Sequence, residues 1–284
     1  MLCVVGTVPA NDFPLTEGKV CLQDEQVRIG GESVAVHRGT PALLAAAVKT
    51  AEALGRPMPY AYLAGDTGTG KGSRSLYAHL IETLSRTHFQ TIVFHYLQPI
   101  VHWHRCLQAL LGTLDPKPRL IADAGFMYAA KMSGAAPFYD LFTPDVGELA
   151  FLADEEAPHP FYTRGFILHE NCRVPDLIAR AYLHRNAARY LLVKGERDYL
   201  ADESGILATV DHPSEEAMEA IGGTGDTVTG IVSALIEGGM NLRDAAVAAL
   251  RSNRLAGHHA RPTPATQVGE MIGHIPRAIR EALR

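Results

Sequence analysis

No two of the four cysteines (Cys3, Cys21, Cys106, Cys172) stand as a Cys-x-x-Cys pair, so the thiols read as free side chains of a cytoplasmic protein. Long apolar runs are missing too. None approaches the roughly 20 residues of a membrane span, and the opening stretch "MLCVVGTVPANDF" has neither a basic segment nor enough apolar length for a secretion signal. Charge of one sign is scarce: the net value is -5, with both signs interspersed, which argues against a nucleic-acid surface as the main function. No linker of Pro, Gly or Ser divides the chain and no repeat is evident, so residues 1–284 are expected to form a single domain.

What is present is ordinary for a globular protein: 47% apolar and 20% charged residues in a chain long enough for a dry core. Short apolar segments alternate with amphipathic ones. "YAYLAG" (60–65), "TIVFHYL" (91–97), "RLIADA" (119–124), "DLFTP" (140–144) and "RYLLVKG" (189–195) read as strands. Helices are expected over 40–55, 75–87, 103–114, 176–187, 226–239, 242–260 and 275–283. Strands alternating with helices predict an α/β fold with a mostly parallel central sheet and helices on both faces. Two regions break the rhythm. Residues 1–39 hold short β-like pieces suited to an edge or lid sheet. Residues 153–175 carry three prolines and read as a loop insertion or subunit contact, with a substrate lid as the alternative, and the apolar and aromatic residues of 158–168 point to self-association.

"LAGDTGTGKGS" (63–73) suggests a phosphate-binding P-loop. Gly65 to Lys71 satisfy the first seven positions, but Gly72 stands where the magnesium-binding hydroxyl belongs and Ser73 comes one residue late. The stronger signal is "AIGGTGDTVTGIVSALIEGG" (220–239). Gly222, Gly223, Thr224 and Gly225 precede a helix, a pattern in which consecutive backbone N–H groups converge on an anion at the positive end of the helix dipole. Asp226 would repel that anion unless it takes a proton from an attacking hydroxyl. The plainer reading of the same residues is a glycine turn with Thr224 or Asp226 as the N-cap.

The GGTGD segment resembles the Gly-x-Gly-Asp signature of ribokinase-like enzymes, and its form is most similar to that of the ADP/ATP-dependent NAD(P)H-hydrate dehydratases. "LIADAGF" (120–126), "TPDVGELAFL" (143–152) and "YLLVKGERDYLAD" (190–202) follow in the order of that family, so the resemblance spans about residues 60–284, with 1–59 divergent. It implies a ribokinase-like three-layer sandwich. It also implies Asp226 as catalytic base, residues 222–225 as an anion hole, ATP or ADP as co-substrate and magnesium as cofactor. Asp123, Glu148 and Lys194 each follow a strand closely and would face one crevice at the carboxyl edge of the sheet. Asp123 and Glu148 are the acids suited to hold magnesium through water. Lys194 and Gly195 would meet the phosphates, Asn253 the nucleotide base, and Gly65, Asp66, Thr67, Lys71 and Ser73 the acceptor. Ser73 could equally be a helix cap.

Two departures stand out. Asp198 occupies the place of a phosphate-binding Thr, where an acid costs on the order of 1–4 kcal/mol unless magnesium or Arg197 intervenes. "SEEAMEAI" (214–221) is acidic where the family is rich in Gly and Asn. His102, His104 and Cys106 would share a face on a strand and hold zinc, but the surrounding pattern is helical and separates them. His258 and His259 read as a solvated helix end. Three functions follow: a nucleotide-dependent NAD(P)H-hydrate dehydratase, a small-molecule kinase acting on a sugar or vitamin precursor, or a nucleotide sensor that has lost catalysis.

Overall fold

A computed structural model describes residues 1–158 and 173–284. Nine strands form the main sheet. They are β1 (Leu2–Val8), β2 (Thr16–Lys19), β6 (Tyr60–Gly65), β7 (Thr91–His95), β8 (Arg119–Asp123), β9 (Leu141–Phe142), β10 (Tyr190–Val193), β11 (Asp198–Asp202) and β12 (Gly205–Val210), in the spatial order β12-β11-β10-β9-β8-β7-β1-β6-β2. Strands β6, β1, β7, β8, β9 and β10 run parallel, while β2, β11 and β12 are antiparallel additions at the two edges. A separate antiparallel sheet joins β3 (Cys21–Gln23), β4 (Gln26–Ile29) and β5 (Glu32–Ala35), the edge sheet expected within residues 1–39.

Side chains along the parallel strands point alternately to two cores, as the period of two requires. Val4, Val93, Ile121, Leu141 and Leu192 pack into one core with helices α1 (Thr40–Leu54), α7 (Thr224–Glu237), α8 (Leu242–Ala260), α9 (Val268–Ile272) and α10 (Ile275–Ala282). Val5, Phe94, Leu120, Phe142 and Leu191 pack into the other with α2 (Lys71–Thr83), α3 (Val101–Thr113), α4 (Gly125–Met132), α5 (Val146–Ala153) and α6 (Val174–Leu183). Burial on both faces explains why these strands read as unbroken apolar runs. The layers are those of the ribokinase-like sandwich. The helix α1 begins with Pro41 in its first turn and ends on Gly55 in the left-handed conformation. Its alanine-rich face lets α7 approach so closely that a Cβ on Gly230 would stand 2.2 Å from the carbonyl oxygen of Leu43.

The N-terminal region differs most from expectation. "LCVVGTV", noticed only as too short for a secretion signal, is fully buried and forms β1, paired on both sides by β6 and β7. A short run buried on two faces lacks the alternation that marks a strand. The helix α3 places His104 inward, where it bonds the Tyr139 hydroxyl at 2.8 Å and burial pushes its imidazole down to about 4. His102 and Cys106 lie together on the outer face, so the helical reading of that segment holds. The proposed loop 153–175 and self-association segment 158–168 lie mostly outside the described residues. No helix among the described residues is long and apolar enough to cross a membrane.

Candidate active site

The parallel strands deliver their polar terminal residues to one edge. His95 ends β7, Asp123 ends β8, and Lys194 follows β10, where it bridges Asp145 at the start of α5. Asp226 stands in the first turn of α7, and Gly39 and Thr40 begin α1 on the opposite side. The edge therefore gathers two helix N-termini and three strand ends in one cluster, at the usual ligand position of open parallel sheets.

Asp226 is held at both oxygens. The Gly39 N–H donates to Oδ2 at 2.7 Å, and His95 Nε2 lies 3.0 Å from Oδ1. Burial opposes its charge. The His95 bond and charge, the Lys194 charge and the Gly39 amide outweigh burial and hold the carboxyl below the ordinary range. The alternative role as N-cap is excluded. Gly223 is the cap, left-handed at φ 99°, and no side chain caps α7. The amides of that first turn thus keep the outward N–H groups that suit an anion. A side chain at Gly223 would be strained by its backbone, and its Cβ would meet Arg38 Cα at 3.0 Å. The Lys194 stem lies along Gly225, bringing an ammonium beneath the turn.

Asp123 is fully engaged. Lys194 Nζ donates to its two oxygens at 3.0 and 3.1 Å, Thr229 donates its hydroxyl to Oδ2, and Thr143 in turn bonds Thr229 at 2.9 Å. Burial acts against the Lys194 charge, but Asp123, Glu148 and Asp226 overcome it and hold the ammonium firmly protonated. Asp123 is the counter-ion of Lys194 in this structure. Glu148 remains available on one oxygen. The other accepts the Asp145 N–H at 2.9 Å in a reciprocal capping box with Asp145. Burial and the Asp123 charge raise Glu148 to about 8. Removal from water is the larger cause, and a hydrated divalent cation would offset it together with the Asp123 charge.

This shift has a measurable consequence. An acid whose folded value is raised from 4.5 to about 8 is protonated more readily in the folded state than in the unfolded one. Stability is then highest below the unfolded value and falls as pH rises toward 8. Glu148→Gln removes the penalty and still accepts the Asp145 N–H. Its melting temperature is expected to exceed the parent's at pH above 8. The difference should vanish in acid, as thermal melts across pH would read.

The remaining expected residues fall into place differently. Asn253 accepts the Thr227 hydroxyl at 2.6 Å and donates to the Thr224 carbonyl at 3.1 Å, so it braces the glycine turn. Asp198 does not face the phosphate position. Arg254 Nε donates to it at 2.7 Å, and the Gly195 N–H donates at 3.0 Å. Arg197, the expected intermediary, instead pairs with Asp211. The Gly195 amide is thereby used internally. Arg254 also donates to the carbonyls of Gly195, Glu196, Asp211 and Pro213. "SEEAMEAI" forms a 3-10 turn at Glu216–Ala220.

The opening Gly-rich stretch is a local cap. Asp66 accepts the N–H groups of Gly68, Gly70 and Ser73 and the Ser73 hydroxyl. Asp66 and Ser73 are thus committed to each other, and Gly65 to close backbone packing, since a Cβ there would lie 1.9 Å from the Ala10 carbonyl oxygen. Thr67 and Lys71 are left exposed at the rim. His258 pairs with Glu215 and His259 with Glu281.

His95, Gly39, Thr40 and Thr229 escaped sequence reasoning. For His95 a signal existed: a polar residue closing the buried run "TIVFH" belongs at the carboxyl end of a parallel strand. The other three act through contacts across many residues, which no local pattern reports.

The family model described as NAD(P)H-hydrate dehydratase matches residues 101–276. A Methanocaldococcus jannaschii protein without an assigned activity is 39% identical over 243 residues, covering 85% of this chain and all of that protein. The bifunctional NAD(P)H-hydrate repair enzyme of Pyrobaculum aerophilum is 28% identical over 183 residues, covering 61% of this chain and 32% of the enzyme, so the matched segment is about a third of its length. Among solved structures, pyridoxal kinase from Staphylococcus aureus in complex with AMP-PCP and pyridoxal superposes with a TM-score of 0.55 at 14% identity, over 89% of this chain and 86% of that one. The family, the Pyrobaculum repair enzyme and the pyridoxal kinase are enzymes, and the last comparison speaks to fold alone. The chain belongs to the carbohydrate kinase-like family described as NAD(P)H-hydrate dehydratase, and its fold is ribokinase-like.

Proposed function

We propose that the protein transfers a phosphoryl group from ATP or ADP to a hydroxyl of a small molecule. The acceptor that the family favours is the hydrate of NAD(P)H, and loss of phosphate from the phosphorylated hydrate restores the nicotinamide. The carrying observation is the juxtaposition of a doubly held Asp226 carboxylate with the uncapped glycine turn 222–225 and the Lys194 ammonium. Asp226 takes the hydroxyl proton, the acceptor oxygen bonds phosphorus, and the bond to the nucleotide's bridging oxygen breaks, its electron pair staying on the departing nucleotide. The turn amides and Lys194 offset charge on the transferring group. Phosphate then leaves where hydroxide would not. Magnesium, when bound, supplies further neutralisation of the phosphates. Glu148, with one uncommitted oxygen in a negative field, is the residue fitted to hold it through water.

A second reading, a small-molecule kinase, is favoured by the origin of the crevice walls. Strand β1, the Gly39 amide and Thr40 lie outside the segment matching the dehydratase model, 101–276, yet they build the site around Asp226. The sensor reading rests on Asp198, whose charge Arg254 meets, and on the acidic segment 214–221.

The test combines hydrated NADH, magnesium and ATP or ADP, and follows the return of reduced-nicotinamide absorbance. Nucleotide-dependent recovery is the expected result. Nucleotide consumption with sugars or hydroxymethyl compounds, and none with the hydrate, would replace the dehydratase by the kinase. No turnover with any acceptor would remove both.

A further inference from the structure

The amino edge of the main sheet, opposite the candidate active site, holds a hollow of about 680 Å³. Its walls are the residues leading into β7, β8 and β10, the end of α7 and the first turn of α8. Five basic side chains line it: His88, Lys117, Arg119, Arg189 and Arg243. Glu237 is the one acid among the lining residues, and its side chain is 13% exposed. A second hollow of about 670 Å³ shares Arg189, Tyr190 and Arg243 with the first and adds Arg185 together with Asp202 and Glu203. The protein as a whole carries a net charge of -5, so the sign of this concavity runs against its composition.

The cations keep donors to spare. Arg119 Nη1 lies 3.5 Å from Asp140, and Arg243 Nη2 lies 2.9 Å from Asp202. Each guanidinium thus gives part of its fork to an acid and retains other N–H groups. Lys117 Nζ sits 3.9 Å from the centre of the Phe138 ring and reaches that residue's carbonyl at 3.4 Å. Arg189 lies 5.3 Å from the centre of the Tyr190 ring, and Arg243 lies 5.6 Å from the same ring. Neither Lys117 nor Arg189 has an ion pair among the described residues. Asn241 accepts the Asp244 N–H at 3.1 Å, so the start of α8 is capped from within. Side chains, not the helix end, make the hollow basic, and like charges gathered in a concavity raise the local potential and draw anions.

We propose that this hollow binds a small molecule carrying two phosphate groups, at a place separate from the candidate active site. Its volume falls in the range of small-ligand sites, roughly 300–1,000 Å³, and exceeds the need of a single anion. A phosphomonoester brings about 1.5–2 negative charges, so two of them match the permanent cations Lys117, Arg119, Arg189 and Arg243. These come from four segments of the chain and meet charge from several directions. The planar fork of an arginine engages phosphate oxygens two at a time.

Titration calorimetry at low salt, with fructose 1,6-bisphosphate as the probe, tests the assignment. Saturable binding is expected, weakening as sodium chloride is added. Arg189→Gln and Lys117→Gln should each weaken it by on the order of 10-fold, and Arg189→Lys should restore part of the loss. Without ion pairs to lose, these variants should melt with the parent, as circular dichroism would show. Absence of saturable binding overturns the proposal. So does binding that is unchanged in both glutamine variants, because the probe then sits elsewhere. Citrate bound as tightly as the bisphosphate would overturn the preference for phosphate, and inorganic phosphate bound as tightly would overturn the need for two groups. The titrations require no turnover, and the substituted residues lie at the edge opposite Asp226, so their outcome is independent of the phosphoryl-transfer reading.

Discussion

Asp226→Asn is expected to lower turnover by about 10²–10⁴-fold, the range for loss of a positioned proton acceptor, while leaving nucleotide binding near the parental level. The amide oxygen can still accept from Gly39, so the crevice should survive, and calorimetry with the nucleotide and a circular dichroism melt would establish that it does. A variant that turns over at the parental rate would take Asp226 out of the chemistry. The same carboxylate also links stability to pH. Its folded value lies below the ordinary 3.8, so its contribution is present above that value and is lost as pH falls through the lower folded one. Asp226→Asn should therefore flatten the acid limb of a stability profile.

The second large effect is structural. Arg254 is 8% exposed, and it spans the Asp198 carboxylate and four backbone carbonyls. Arg254→Met strands a buried acid and unbonds the loop that carries Lys194. A loss of about 3–5 kcal/mol in urea unfolding is expected, the usual result of breaking a buried pair from one side. Asp198→Leu combined with Arg254→Met should recover part of it, because no charge is then left alone. Arg197→Met, on the exposed pair with Asp211, should leave stability nearly unchanged. Equal effects of the two arginine substitutions would contradict this account of Asp198.

Much of this architecture was readable from residue patterns. Strands β6 to β10 announced themselves because runs such as "TIVFH" and "RLIAD" end at turns, and α1 by Pro41 and Gly55 bracketing an alanine-rich face. The glycine turn and Asp226 were legible because left-handed backbone demands glycine at Gly223 and a carboxylate beside an anion demands a reason. Three things were not legible. Strand β1 lacks alternation because both of its faces are buried. The partner of Asp198 lies 56 positions away in Arg254, so the acid looked misplaced when only Arg197 stood nearby. Asp66 looked like an acceptor-binding group because Gly-rich turns serve phosphates and helix caps alike. Here the carboxylate fills the turn that a phosphate would occupy.

The Gly39–Asp226 hydrogen bond joins residues 187 positions apart. Strand β1, the first made, sits between two strands made after it. During synthesis the N-terminal segment can therefore fold against β6 and β7 and wait, with the Gly39 amide and the His95 ring in place but no carboxylate between them. The base arrives only when α7 leaves the ribosome and docks along α1. A growing chain thus lacks the Asp226 carboxylate until α7 is made, by which time every strand of the main sheet has been synthesised.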